Sequence, residues 1–279
     1  MTRHRAGPPG PPPEFTVQWL RVRLAKRGRL RFASHRDVAR AVERGVRHAD
    51  LPVAYSGGFN PRPKLSYSGA VPTGVASEAE YFEIGLTASC APADVRDRLD
   101  AALPPGLDVL NVAEVAPGTL AGDLQVSDWQ VTLHGVGEDA AELACRDFLA
   151  ADHIEVERVT AKGVRRVDAR AAVLTLELDR RAVHSGTGGC AILRMVVRHM
   201  APAVRPDDVL AALRQVAGLA PPSPPLVTRL AQGPLGTSAG GLCGPGLRRS
   251  TVADCGAGAA ADEGGAALGG APVSARRAP

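Results

Sequence analysis

The sequence predicts an α+β fold built from two ferredoxin-like (β-α-β-β-α-β type) units in tandem, flanked by disordered termini. Three observations carry that expectation. Short runs of alternating apolar and polar residues, the mark of half-buried strands, are interleaved with amphipathic helical stretches. The order strand, helix, two strands, helix, strand runs through residues 15–118, and strands with two helices return over 124–220. The apolar fraction, 45%, is enough for a buried core, while aromatics at 4% leave that core to Val, Leu and Ala.

Residues 1–14 are rich in Pro and Gly and are expected to be disordered. In 17–24, Leu20, Val22 and Leu24 alternate with Arg21 and Arg23, predicting a strand with a basic outer face. After a break at Lys26-Arg27-Gly28, Arg29-Leu30-Arg31-Phe32 repeats the alternation and is expected to extend the same face. Ser34-His35-Arg36-Asp37 fits a capping box, with Ser34 as N-cap and Asp37 three residues on. In the helix it opens, Val38, Val42 and Val46 form an inward stripe, and Arg36, Arg40, Arg44 and Arg47 an outward one. The helix must stop before Pro52.

Residues 55–64 read as a Gly/Pro-rich loop, 65–70 and 81–86 as strands, 92–103 as a helix with a proline start, and 107–115 as a strand. In the second half, strands are expected at 129–134, 154–160, 172–178 and 191–198, with helices at 138–151 and 206–215. Periodicity fades from Pro221 onward, and residues 231–279 have the composition of a disordered tail.

Charge is distributed unevenly. Residues 1–64 hold 14 Lys and Arg against 4 Asp and Glu, whereas 65–155 hold 3 against 16, so the net +4 of the chain hides two opposite fields. A basic field of this kind points to an anionic partner, RNA above all. The candidate anion-binding set is Arg21, Arg23, Arg29, Arg31, Arg36, Arg40, Asn60, Arg62 and Lys64, with a second basic stretch at Lys162, Arg165 and Arg166. In Ser56-Gly57-Gly58-Phe59-Asn60-Pro61-Arg62-Pro63-Lys64 the glycines permit close backbone approach and the prolines stiffen the second half of the loop. Tyr55, Gly58 and Phe59 make it a candidate loop for base stacking. The Lys does not open a helix, which excludes an NTPase phosphate loop.

No catalytic residue stands out. Ser34 and Asp37 are accounted for as a helix cap, which leaves His35 as the one candidate general acid–base. Five cysteines at scattered spacing form no metal knuckle or cluster motif, so no metal is expected in this chain. The first residues hold no apolar signal-peptide core, and no apolar run approaches the ~20 residues of a membrane span. A cytoplasmic protein without membrane association is the expectation.

The segments R-L-R-F-A-S-H-R-D-V-A-R, L-P-V-A-Y-S-G-G-F-N-P-R-P-K-L-S-Y and P-T-G-V-A-S-E-A-E-Y-F-E-I resemble the radical-SAM-linked protein family, a bacterial domain of unknown function. K-G-V-R-R-V-D-A-R resembles its second motif, and the likeness spans about residues 15–230. Members occur beside, or fused to, a B12-binding radical SAM protein. The resemblance implies an accessory or substrate-presenting role, with the iron–sulfur cluster, SAM and B12 held by the partner and no cofactor in this chain. It transfers no catalytic residue. Two other readings stand beside this one: an enzyme acting on RNA, with His35 as acid–base and Arg62 or Lys64 holding a phosphate, and a protein–protein adaptor.

Overall fold

The computed structural model describes residues 11–160, 163–180 and 189–235. By contact the chain divides into Met1–Pro245 and Gly246–Pro279, and every described residue falls in the first unit. That unit is a mixed α+β fold on a mostly antiparallel sheet.

β1 (Gln18–Lys26) buries Leu20, Val22 and Leu24 as the alternation predicts. The expected second basic strand does not form. Gly28 takes a positive φ of 54° that ends the extended chain, and Gly28–Phe32 winds into a 3-10 turn. Bonds from Leu30 N–H to the Arg27 carbonyl (3.1 Å) and from Ala33 N–H to the Leu30 carbonyl (2.9 Å) hold it. Arg29 and Arg31 therefore leave the sheet.

α1 (His35–His48) comes next, then β2 (Leu65–Ser68), β3 (Ala76–Leu86), α2 (Pro92–Ala102) and β4 (Leu107–Glu114). The strands pair antiparallel in the order β4-β1-β3-β2. Leu20, Val22, Leu24, Phe82 and Ile84 from the sheet meet Val42, Val46, Val95 and Leu99 from the two helices in one core. β3 begins five residues before the strand expected at 81–86, because Ser77, Glu78 and Glu80 disguise its first half.

A short α3 (Leu120–Asp123) leads to β5 (Val126–His134), α4 (Glu138–Ala150), β6 (Glu155–Thr160), β7 (Gly163–Asp168) and α5 (Ala169–Ala172). β8 (Val173–Leu178), β9 (Cys190–Arg198), α6 (Pro206–Ala217) and β10 (Leu226–Gly233) complete the unit. Here the order is β10-β5-β9-β8, again with antiparallel neighbours, while β6 and β7 form a separate ribbon. A second core gathers Trp129, Leu133, Phe148, Leu193, Met195 and Leu213, with Val71 and Val75 reaching in from the first half.

β10 corrects the reading of the chain beyond Pro221. The residues where periodicity fades form a strand inside the sheet, and 231–233 belong to it rather than to a tail. Of the disorder expected at 1–14 and 231–279, residues 1–10 and 236–279 lie outside the described residues, whereas 11–14 are held against the 55–64 loop by hydrogen bonds from the Tyr55 and Gly58 N–H groups to Glu14 and Pro11.

β10 also joins the halves, pairing with β5 on one side and parallel with β3 on the other, where Thr228 faces Ala76 and Arg229 faces Ser77. Arg229, 3% exposed, is an ionic clamp at this seam. It pairs with Glu80, donates to the Gly69 and Ala79 carbonyls and to Ser77 Oγ, and lies 5.6 Å from the Trp129 ring centre. Lys26, expected in a turn, is instead the buried end of β1 in the same region. Burial lowers its pKa, opposed by the Glu80 carboxylate.

Candidate anion-binding groove

The site is built on α1. Ser34 Oγ accepts from the Asp37 N–H (3.3 Å) and the Asp37 carboxylate accepts from the Ser34 N–H (3.2 Å), so the capping box starts the helix where expected. Hydrogen bonds from the Ser34 side chain and backbone hold the exposed Asp37 carboxyl below its ordinary pKa. Val38, Ala41, Val42, Gly45 and Val46 face the core, and Gly45 admits Leu103, whose Cδ2 would stand 2.8 Å from an added Cβ. With that face buried, helical geometry sets the other. At about 100° per residue, Arg36, Arg40, Glu43 and Arg47 fall within an arc of roughly 60° that runs about 16 Å along the axis. Arg44 sits about 80° from Arg36 and misses this stripe.

The facing wall is the loop from Tyr55 to Lys64. Its stem closes through the Ser56 N–H to the Arg62 carbonyl (2.8 Å), the Arg62 N–H to Ser56 Oγ (3.0 Å) and the Lys64 N–H to the Ala54 carbonyl (2.8 Å). The segment before β1 straps it from behind. Glu14 accepts from the Tyr55 N–H (2.7 Å), and the Pro11 carbonyl accepts from the Gly58 N–H (2.9 Å). Gly57 lies so close to Pro13 that a Cβ would stand 2.8 Å from its nitrogen, and Gly58 has φ +105°. Gly57 is required by that contact and Gly58 by its torsion.

Between helix and loop lies a solvent-open groove of about 500 Å³, lined by Arg36, Arg40, Arg47, Arg62, Glu43 and Tyr55 among others. Four guanidiniums meet one carboxylate there, and the one ion pair drawn among them is the loose Arg47–Glu43 contact at 4.0 Å. Guanidinium groups left facing solvent on a fixed scaffold are suited to phosphate oxygens.

The remaining basic residues have other roles. Arg21 binds Glu83 (2.9 Å), whose side chain is fully buried, and Asp123 (2.7 Å). Arg23 donates to the carbonyls of Glu78 (2.7 Å) and Leu230 (3.3 Å). Lys64 Nζ turns back onto the Glu14 carbonyl (2.6 Å) and Thr16 Oγ1 (2.9 Å). Arg29 is exposed on the 3-10 turn, while Arg31 lies over the Phe32 ring with its Nε buried and unpartnered. Phe59 and Asn60 are exposed at the loop tip. In the β6–β7 ribbon Arg166 is held by Glu155 (3.4 Å) and Glu157 (3.1 Å), and Arg165 is exposed. Lys162 lies outside the described residues. The structure thus brings Arg36, Arg40, Arg62 and Tyr55 together and leaves the rest of the predicted set apart.

His35 is exposed at the first turn of α1, its ring edge-on to Tyr67 at 5.5 Å. Its nitrogens have no hydrogen-bond partner among the described residues. Tyr67 keeps a buried hydroxyl without a partner, and burial raises its pKa. One polar pair escaped the sequence reading. His199 Nδ1 lies 2.7 Å from the Leu124 carbonyl, which can only accept, so Nε2 accepts from Ser127 Oγ at 2.6 Å. Ser127 and His199 stand 72 residues apart with no local motif. Ser127 is buried, so the pair satisfies the core and presents no nucleophile. Among the described residues no cluster of His, Cys, Asp and Glu could hold a metal, and no helix is long and apolar enough to cross a membrane.

The chain belongs to a bacterial family: the model of the uncharacterised conserved proteins termed DUF2344 matches residues 19–206. That span holds α1, the loop and all four groove arginines. No significant match emerges among curated proteins. Among solved structures, a chain of the Cbf5-Nop10-Gar1 complex is similar at TM-score 0.40 and 13% identity over 77% of this chain, which spans about half (49%) of that chain's length. A likeness this distant assigns neither fold nor activity.

Proposed function

We propose that this protein is a non-catalytic accessory protein that binds RNA through the groove between α1 and the 55–64 loop, and presents it to a B12-binding radical SAM enzyme. The observation that carries the RNA part is the convergence of Arg36, Arg40, Arg47 and Arg62 on one open groove with a single opposing carboxylate, Glu43. The radical SAM partner rests on the sequence resemblance. Catalysis by His35 lacks support: among the described residues its nitrogens meet no hydrogen-bond partner, and the Tyr67 ring beside it has its hydroxyl buried. The two halves are read as ferredoxin-like units, supported by the matching strand orders β4-β1-β3-β2 and β10-β5-β9-β8. The β6–β7 ribbon is then an insertion in the second.

Fluorescence anisotropy of the full-length protein with a labelled 12-nucleotide RNA tests the groove. Three to four neutralised phosphates give a log–log salt slope of about −2 to −3, so affinity drops about 20- to 50-fold between 50 and 200 mM salt. Changing all four arginines to Gln should abolish the slope and the binding. Binding that survives this change, or an absence of salt-sensitive RNA binding by the wild type, rejects the proposal. Failure to co-purify with the radical SAM protein rejects the partner.

A further inference from the structure

The chain has five phenylalanines. Phe82 and Phe148 are in the cores, but Phe15, Phe32 and Phe59 are 84%, 62% and 67% exposed. All three fall within the basic first 64 residues. Large apolar rings held in water lose the burial that ordinarily justifies them, each by roughly 1.5–3 kcal/mol, and this chain has few aromatic residues to spare.

Two of these rings lie close in sequence to residues that line the groove. Phe59 stands at the tip of the loop whose stem supplies Arg62, and it is carried by a backbone already fixed by the Ser56–Arg62 bonds and the Gly58–Pro11 bond. Phe32 ends the 3-10 turn just before the α1 cap, four residues ahead of Arg36, with the Arg31 guanidinium 4.9 Å from its ring centre. The rings are therefore presented from ordered elements, Phe59 on the loop that supplies Arg62 and Phe32 on the turn that leads into α1.

We propose that the groove is a single-strand RNA site in which Phe59 and Phe32 stack on unpaired bases while the four arginines track the backbone. This rests on the RNA-binding reading and specifies its substrate class. A stacked duplex offers no base faces along its length, whereas an unpaired strand offers them at each nucleotide, and an aromatic ring accepts any base. The site then selects strandedness more than sequence, because stacking accepts every base.

Three probes separate phosphate from base recognition: a 12-nucleotide single-stranded RNA, the same sequence as a blunt duplex, and an abasic ribose-phosphate 12-mer. The single strand is expected to bind about tenfold or more tightly than either of the others, from the stacking of one or two bases. Phe59→Ala should lose about tenfold on the single strand, bind the abasic chain unchanged and keep the salt slope, and Phe59→Trp should restore binding. A 2-aminopurine placed in the strand should be quenched by the wild type and much less by F59A. Both rings are exposed, so F59A and F32A should melt with the wild type. Equal binding of the abasic chain, or F59A and F32A each within twofold of wild type on the single strand, overturns stacking while the arginine groove stands. Loss of salt-sensitive binding to every probe overturns the groove reading and this inference with it.

Discussion

Replacing Arg229 with Met tests the seam that joins the two halves. The guanidinium is almost fully buried and answers the Glu80 carboxylate, whose side chain is 12% exposed. Removing it takes the hydrogen-bonded cation from that charge, leaving the buried Lys26 near it, and takes a donor from the Gly69 carbonyl, while the Ala79 carbonyl keeps the Gln232 amide at 2.7 Å. Breaking a buried pair from one side costs about 3–5 kcal/mol, which for a unit of this size lowers Tm by about 8–16 °C. The double variant R229M/E80Q removes both charges and should recover most of the loss, because the penalty lies in the orphaned carboxylate and not in the absent attraction. Urea titrations followed by far-UV circular dichroism and by tryptophan fluorescence measure both, since Trp129 lies against the Arg229 guanidinium. A single variant within about 1 kcal/mol of wild type, or a double variant as damaged as the single one, would refute the reasoning.

Two further outcomes are set by local geometry. Gly135 has φ +74° and a Cβ there would stand 2.5 Å from Pro222 Cγ, so Gly135→Ala should cost about 2 kcal/mol or more, read as a lower urea midpoint. Burial lowers the His199 pKa, with the Leu124 carbonyl opposing and Arg229 reinforcing the shift. A histidine depressed in the folded state takes up its proton more readily when unfolded. Its contribution is complete above the unfolded value of about 6.5 and is lost as pH falls below that toward the folded value. Thermal melts at pH 7.5 and 5.5 should show this loss, and His199→Gln should reduce it; an unchanged pH dependence in that variant would count against the assignment.

The parts legible in the sequence were those that local chemistry decides. The Ser34–Asp37 capping box lies within four residues, and the Val38, Val42 and Val46 spacing fixes which side of α1 is buried, which in turn sets the outward arginine stripe. α2, β4, α4 and α6 were legible for the same reason. The strand expected at Arg29–Phe32 failed on one torsion, since alternation is equally compatible with a strand or a 3-10 turn until the positive φ of Gly28 decides. β10 was hidden because Arg229 occupies an inward position where the pattern requires an apolar residue. Its partner Glu80 is 149 residues away.

The basic face divides along the same line. By itself the sequence determined that positive charge gathers in the first 64 residues, and that Arg36, Arg40, Arg44 and Arg47 lie on the outward side of α1. Only the tertiary structure decided which charges stay available. It places Glu83 and Asp123, 62 and 102 residues distant, against Arg21, and it folds Lys64 onto the strap before β1. It also brings Arg62 across from α1 to close the groove. The physical reason is that a side chain's orientation relative to its own element is set by backbone periodicity, whereas an ion pair is set by whatever the folded chain brings within a few ångströms.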